Sequence, residues 1–597
     1  MKYPYEEFKE DAVKRLAWAI KELYNLGIPR EKIEEKIEKP KRLPKEAGKR
    51  GLKRMPDLAY PCFHLSNKIK VQMKTPLEIA MEISKKIKGS LIKKIGAKAT
   101  LLEDAKEIGA YVNFYINNDL LAEKLLKQIN ETRDDFGKGE RKNKSIILEH
   151  TSANPNGPLH VGRARNPIIG DTLARIFKFA GYDTETQFYV DDIGKQVAIL
   201  LWGLKNLDIK AEEKKDDHRL VIFYQKAYEM MEKNEKVKEQ IGHIIKKCEE
   251  GDEKILESMK EAYEKALGGI LESLERINIK IDSFVDESKF ILDGSVQYII
   301  ERLKKSKFAG YDDNALYLDM EPFGIHGRNK KFFLTRKDDT SLYATRDIAY
   351  HLWKEKRTDM MVNILGEDHK LEAKLVETTL KILGAKVPNT VFYSFVSLPE
   401  GKMSTRRGRT VYLDELIEES VERAYREVMK RRELPEERAR FIAEKVGVGA
   451  VRYNIVKVNP EKAITFRWEE AMNFEGESAP FIQYAHARCC SIVKKSGKEK
   501  IDISEINFSN YNHPQEISLI KMLASFPEIT KKCQYEFNPA FLADYAYGLA
   551  TSFNVFYRDC HVVGSEKEKE RIALVHATRQ TLKNALNLLG IEALEEM

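Results

Sequence analysis

Two stretches of this 597-residue chain hold residue types that could act on phosphates. The first is Ala153-Asn154-Pro155-Asn156-Gly157-Pro158-Leu159-His160-Val161-Gly162-Arg163, a turn between an apolar strand at 145–149 and a helix expected over about 163–180. Glycines let a backbone approach a phosphate closely, and a helix N-terminus offers free N–H groups and a positive dipole end. No Gly-Lys-Ser/Thr closes the turn, so it is not a Walker loop. His160 is placed to donate to a phosphate oxygen. The second stretch is Lys402-Met403-Ser404-Thr405-Arg406-Arg407-Gly408-Arg409, with four cations in eight residues. Such a segment can clamp a polyphosphate and neutralise the charge that builds as pyrophosphate leaves. A third candidate, Gly366-Glu367-Asp368-His369, follows the apolar run 361–365. It would lie at a strand's carboxyl end, where open α/β sheets bind ligands.

The pairing of His160-Val161-Gly162-Arg163 with Lys402-Met403-Ser404-Thr405 resembles the class I aminoacyl-tRNA synthetases. Wider strings narrow the resemblance to the arginyl-tRNA synthetases. They are Ser152 to Gly162, Tyr189-Val190-Asp191-Asp192-Ile193-Gly194-Lys195-Gln196, Ser341-Leu342-Tyr343-Ala344-Thr345-Arg346-Asp347, and Phe481-Ile482-Gln483-Tyr484-Ala485-His486-Ala487-Arg488. The resemblance covers nearly the whole chain. It implies that L-arginine is activated with ATP to arginyl-adenylate and then passed to the terminal adenosine of tRNA(Arg). It also implies that activation needs bound tRNA.

By that resemblance Asn154 binds the amino group or carboxylate of arginine. Glu287 and Asp347 receive its guanidinium, Tyr343 lies against it, and Gln196 and Asp192 are further candidates. Carboxylates suit a planar five-donor fork, which reads them in bidentate geometry; a lysine side chain would leave one underpaired. ATP is assigned to Asn156, Gly157, Pro158, His160, Gly162 and Arg163, to Gly366, Asp368 and His369, and to Lys402, Met403 and Ser404. His160, Arg163, Lys402 and Arg406 take the catalytic roles, with Mg²⁺ on the phosphates. Two positions depart from the class pattern: Arg163 stands where the signature has a second His, and Thr405 where it has a second Lys. Arg163 keeps a donor and adds charge, and Arg406 or Arg407 can supply the missing cation.

The elements that must position these residues follow from periodicity. Strand, loop, helix and strand over 145–190 make a βαβ unit. A Lys/Glu-rich helical insertion over about 205–280 interrupts the alternation, which resumes with strands near 315–320, 331–335, 361–365 and 391–397. The chain is then nearly all helix, apart from a polar linker at 496–513. The expected fold is α/β: a Rossmann-like parallel-sheet catalytic domain (126–415), a small α+β N-terminal domain (1–125), a connecting helical region (416–474) and an all-α anticodon-binding bundle (475–597).

Net charge is +8, yet residues 1–100 alone hold 25 Lys/Arg against 13 Asp/Glu. A basic lobe on a near-neutral body suits a docked polyanion, and a lysine-rich solvated surface is the alternative. The tRNA contacts expected there are Arg42, Lys49, Arg50, Lys53 and Arg54. In the bundle they are Tyr484, Arg488, Phe553, Tyr557 and Arg558, with Phe556 beside them, since aromatics and cations suit splayed anticodon bases. Six cysteines without Cys-x-x-Cys spacing argue against zinc or a disulfide framework. No apolar run approaches the ~18 residues of a membrane span. A cytoplasmic monomer is expected. The competing readings are a synthetase for another amino acid, a synthetase-like protein that binds without catalysis, and a nucleotidylyltransferase sharing the His-x-Gly-His-like loop.

Overall fold

Three antiparallel strands, β1 (Leu58–Pro61), β2 (Leu102–Ile108) and β3 (Tyr111–Ile116), form an N-terminal sheet in the order β1-β3-β2. The computed structural model describes residues 2–40, 54–68, 74–92, 100–154, 156–213, 215–338, 340–397 and 411–597. Alternation in the sequence reveals β3 but not β2, whose buried residues Leu102, Ala105 and Ile108 fall three apart. A register shift between Leu102 and Asp104 breaks the two-residue period, so β2 carries no strand signature. Helices Pro4–Tyr24 and Pro76–Ile92 supply Phe8, Leu16, Ile20, Ile79, Ile83 and Ile87 to the core of this region, all fully buried.

The chain clusters into two compact units: 1–137 with 488–529 and 548–584, and 138–487 with 530–547 and 585–597. C-terminal helices therefore contribute to both. Within the first unit the Phe136 ring stacks on Phe526, with centroids 5.9 Å apart. Asn584 Nδ2 donates to the carbonyls of Arg133 (3.0 Å) and Phe136 (3.2 Å).

The strands of the second unit include β4 (Ser145–Glu149), β5 (Asp183–Val190), β6 (Ser283–Asp286), β7 (Ala309–Asp312), β8 (Ala315–Asp319), β9 (Lys331–Phe333), β10 (Met360–Gly366) and β11 (Asn389–Tyr393). Five of them make a parallel sheet in the order β11-β10-β4-β5-β6. Its neighbouring strands β4 and β10 are mainly apolar, as expected where helices cover both faces of such a sheet. Ile146, Leu148, Val362 and Ile364 meet Ile169, Leu173 and Phe177 of the helix Arg165–Phe179. Complete burial of a side chain such as Leu148 contributes about 1.5–3 kcal/mol.

The strands expected near 315–320 and 331–335 exist as β8 and β9, but they lie in a separate antiparallel sheet with β7. The local reason is the tight turn between β7 and β8. Asp313 and Asn314 both have positive φ (51° and 65°), which reverses the chain into a hairpin rather than a crossover. The helical insertion between β5 and β6 comprises Asp216–Lys233, Glu235–Glu249 and Glu253–Arg276. Asn234 and Asp252 cap the second and third helices, accepting from the amides of Lys236 (3.0 Å) and Ile255 (3.1 Å). No helix among the described residues is long and apolar enough to cross a membrane.

Candidate active site

All the expected small-molecule residues that fall in the described segments gather at the carboxyl edge of the parallel sheet or on the helices next to it. Strand order reverses between β4 and β10, and the loops after those two strands flank the crevice where such sheets take ligands. The chain leaves β4 through Thr151 and Ser152, both at positive φ (73° and 36°). Asn166 Oδ1 accepts from the Thr151 amide (2.9 Å), and Ser152 Oγ accepts from the Tyr189 amide (3.1 Å) while donating to Glu149 (3.1 Å). The unusual backbone is thus held from three elements. Asn154 follows, half-buried, and Asn156 donates to Gln196 Oε1 across the loop. A Cβ at Gly157 would sit 2.6 Å from Val221 Cγ2, so glycine lets the insertion pack directly on this loop.

Val161 donates its amide to the Val411 carbonyl (3.0 Å), and the Leu413 amide donates to Leu159 (2.7 Å), bracketing a His160–Tyr412 bridge. Lys402, Met403, Ser404, Thr405 and Arg406 lie outside the described residues, but Val411 and Tyr412 just after them are bonded to the His160 turn. Burial first, and then the neighbouring Arg163, bring His160 down to about 4, so its imidazole is neutral at physiological pH. Its Nδ1 is buried without a hydrogen-bond partner, and Arg163 is exposed beside it.

Across the crevice, Gly366 ends β10 and Glu367–His369 form one turn of 3₁₀ helix. A Cβ on Gly366 would stand 2.3 Å from Asp368 Oδ1, so a larger residue here would displace the Asp368 carboxylate. His369 is raised above the usual imidazole range by its hydrogen bond to Glu372 (3.1 Å), against the effect of burial. Arg165, singled out by nothing in the sequence, is fully buried. Its guanidinium donates to the carbonyls of Ser394 (2.7 Å), Lys462 (2.6 Å), Asn459 (2.8 Å) and Val458 (3.2 Å). It ties the start of the post-turn helix to the chain beyond β11.

The carboxylates stand at the ends of β5 and β6 and on the helix Tyr343–Glu355. Glu287 is 3% exposed, with Oε1 3.2 Å from Arg346 Nη1. Burial raises its carboxyl well above the usual range, Arg346 opposes, and nearby Asp191 and Asp192 raise it further. Burial also pushes Asp192 up to about 6, although it accepts from the Ser288 amide (2.9 Å). Asp191 Oδ1 is buried without a partner. Asp347 is half-buried; desolvation opposes its ionisation, but His351, Lys354 and His369 hold it below the usual carboxylate range. Tyr343, 60% exposed, is pushed up to about 12 by burial of its hydroxyl and by Glu372.

The expected nucleic-acid contacts divide. Arg42, Lys49, Arg50 and Lys53 lie outside the described residues. Arg54 does not serve as a free phosphate contact: its guanidinium bonds to Glu103 (2.6 Å), Asn118 (3.3 Å) and the Ile116 carbonyl. Phe553 and Phe556 are fully buried, so neither can stack on a base; the apolar stripe of their helix fills the core. Tyr557, on the same helix, is 42% exposed, and its ring lies 5.5 Å from the Arg488 guanidinium, which also donates to Asn554 (2.6 Å). Tyr484 is exposed, and Arg558 pairs with its neighbour Asp559 at 2.7 Å.

Two family models match the chain: the catalytic domain of class I tRNA synthetases (R), over residues 125–468, and the DALR anticodon binding domain, over residues 482–597. The arginine–tRNA ligase of Methanocella arvoryzae is 46% identical over 538 residues, 88% of this chain and 94% of the relative. That of Methanocaldococcus jannaschii is 42% identical over 539 residues, 89% of this chain and 92% of the relative. Among solved structures, Thermus thermophilus arginyl-tRNA synthetase superposes with a TM-score of 0.78 at 26% identity, covering 98% of this chain and all of its own.

Proposed function

The chain belongs to the class I arginyl-tRNA synthetases, and on that premise we propose which of its residues carry each step. It is an arginine–tRNA ligase, using ATP to activate L-arginine and transferring the arginyl group to the 3′-terminal adenosine of tRNA(Arg). In the first step the arginine carboxylate attacks the α-phosphate, and AMP leaves in the second when the terminal ribose hydroxyl attacks the activated carbonyl.

Glu287 and Asp347 read the guanidinium, Tyr343 lies against it, and Asn154 and Gln196 hold the other end of the amino acid. The observation that carries this reading is the charge balance around Glu287. Burial raises both Glu287 and Asp192; Asp191 and Asp192 add repulsion at Glu287 and Asp286 adds it at Asp192, while Arg346 is the cation paired with Glu287. A bound guanidinium relieves that repulsion, and its five donors suit several carboxylates at once.

ATP lies against Asn156, Gly157, Pro158, Gly162, Gly366, Asp368 and His369, with Met403 and Ser404 on the signature segment. His160 donates to the phosphates as a neutral imidazole, while Arg163, Lys402 and Arg406 neutralise the departing pyrophosphate. Mg²⁺ arrives with ATP. The one group among the described residues whose carboxylate and imidazole atoms lie close enough together to share a metal ion, Asp217, His218 and Asp414, already holds the Lys215 ammonium, 3.2 Å from Asp217 and 2.8 Å from Asp414. Its donors are spent on an ion pair between the insertion and the helix that starts at Leu413. We read the enzyme as a cytoplasmic monomer without structural zinc, divided at 1–125, 126–415, 416–474 and 475–597. Arg42, Lys49, Arg50 and Lys53 meet tRNA phosphates, and Tyr484, Arg488, Tyr557 and Arg558 meet the anticodon side.

Arginine-dependent ATP–pyrophosphate exchange, with and without tRNA(Arg), tests this reading. Exchange that requires tRNA, and an Asp347→Ala variant whose arginine KM rises while its ATP KM holds, is the expected pair of results. An Asp347→Ala enzyme with an unchanged arginine response would overturn the pocket assignment.

A further inference from the structure

A line of buried polar contacts runs from the end of β4 to Asp347, and its hydrogen-bond logic closes at every link. Lys354, fully buried, donates to Glu149 Oε2 (2.8 Å) and to Asn363 Oδ1 (3.1 Å). An ammonium has only donors, so the Asn363 atom facing it is the amide oxygen. That orientation turns Asn363 Nδ2 toward His351 Nε2, at 2.8 Å. The amide nitrogen only donates, so Nε2 must accept. The His351 proton therefore sits on Nδ1, which lies 2.8 Å from the Asp347 carbonyl and 3.2 Å from Asp347 Oδ1. Glu149 is anchored in turn by the Ser152 hydroxyl (3.1 Å), and the Tyr350 ring packs on His351 at 5.8 Å.

We propose that Lys354, Asn363 and His351 are positioning residues for arginine recognition, locking the imidazole as the neutral Nδ1–H tautomer so that Asp347 meets the substrate oriented and fully charged. An imidazolium at the same place would also donate to Asp347, but it would bring a second positive charge against the guanidinium. The inference rests on the reading of Asp347 as a guanidinium receiver. None of the three side chains touches substrate; each acts through the next.

The test is a pair of substitutions that separate the two ring nitrogens. In His351→Asn the amide nitrogen takes the place of Nδ1–H, whereas His351→Gln reaches toward Asn363 and leaves Asp347 without its donor. His351→Asn should keep the arginine KM within about threefold, and His351→Gln should raise it roughly tenfold, with kcat and the ATP KM little changed. Equal effects of the two variants, or a fall in kcat without a change in arginine KM, would overturn the proposal. The ¹⁵N histidine spectrum of the full-length enzyme, with His351 assigned by difference against His351→Asn, gives a readout independent of folding in the variants. It should show neutral imidazole protonated at Nδ1, and an Nε2–H tautomer or an imidazolium at neutral pH refutes the relay. Asp347→Ala separates the two readings: an unchanged arginine KM there refutes the pocket assignment, while a raised one with silent His351 variants refutes the relay alone.

Discussion

His160 and Tyr412 face each other across an isolated antiparallel bridge, 252 residues apart in the chain. Backbone hydrogen bonds on both sides of the pair join the turn after β4 to the residues that follow the signature segment. The turn that carries the neutral imidazole is thus tied through main chain to residues 411–413, whatever side chains stand there. Arg163, one of the two departures from the class pattern, stands on the turn held this way.

His160→Ala should slow arginyl-adenylate formation about a hundredfold while leaving the Kd for tRNA(Arg) unchanged, as single-turnover activation and filter binding would show. With its pKa at about 4, His160 is uncharged in the folded enzyme across the working range. Its contribution to stability is therefore complete above about pH 6.5 and is lost as pH falls toward 4, because the unfolded chain takes up the proton first. Urea midpoints measured between pH 7 and pH 4.5 should fall less in His160→Asn than in the parent.

Arg346→Met should be costly, and arginine should offset part of the cost. Glu287 would stay buried beside Asp191 and Asp192 with no cation, a loss of about 3–5 kcal/mol for breaking a buried pair. Saturating arginine should restore part of the lost thermal stability, since its guanidinium enters the same carboxylate cluster. A melting curve with and without arginine checks both statements.

Arg165→Lys tests a residue no motif announces. Lysine has three donors on one atom and cannot reach the four carbonyls that the planar guanidinium spans. Stability should fall by about 1–3 kcal/mol in chemical denaturation, the cost of leaving buried acceptors unpaired.

Tyr557→Ala and Phe553→Ala, four residues apart on one helix, should behave oppositely. The buried Phe553 leaves a cavity worth about 3–5 kcal/mol of stability. The exposed Tyr557 should cost little stability but weaken tRNA(Arg) binding roughly tenfold, the scale of one base-stacking contact. Calorimetry and a tRNA binding isotherm on each variant distinguish the roles.

Charge reversal is unnecessary at the basic N-terminal segment. Lys49→Ala with Arg50→Ala should lower the salt slope of tRNA binding by about one to two, while Arg54→Ala should mainly destabilise the N-terminal sheet, where its guanidinium is spent. A binding series from low to high salt, beside a melting curve, reads both.

The turn after β4 was legible in the residues because its signal is local. Pro, Gly and Asn between a buried strand and a helix, ending in His160, carry their conformational meaning within a ten-residue window. The βαβ order, the insertion at 205–280 and the helical C-terminal part follow from periodicity in the same way. Failures came where strand pairing or packing decided the outcome. β2 lost its alternation to a register shift, β8 paired with β7 through a hairpin turned by Asp313 and Asn314, and the aromatic at 553 turned inward rather than out.

Residue types and spacing pointed to the family and the reaction class, which the relatives bear out. Folding alone settled which charges are already spent: Arg54 on Glu103, Arg346 on Glu287, Lys215 on Asp217 and Asp414, and Lys354 on Glu149. A charged side chain takes its role from whatever lies within about 4 Å, where Coulomb energy is largest and solvent screening weakest. The partner supplied there comes from elsewhere in the chain, and no local window contains it.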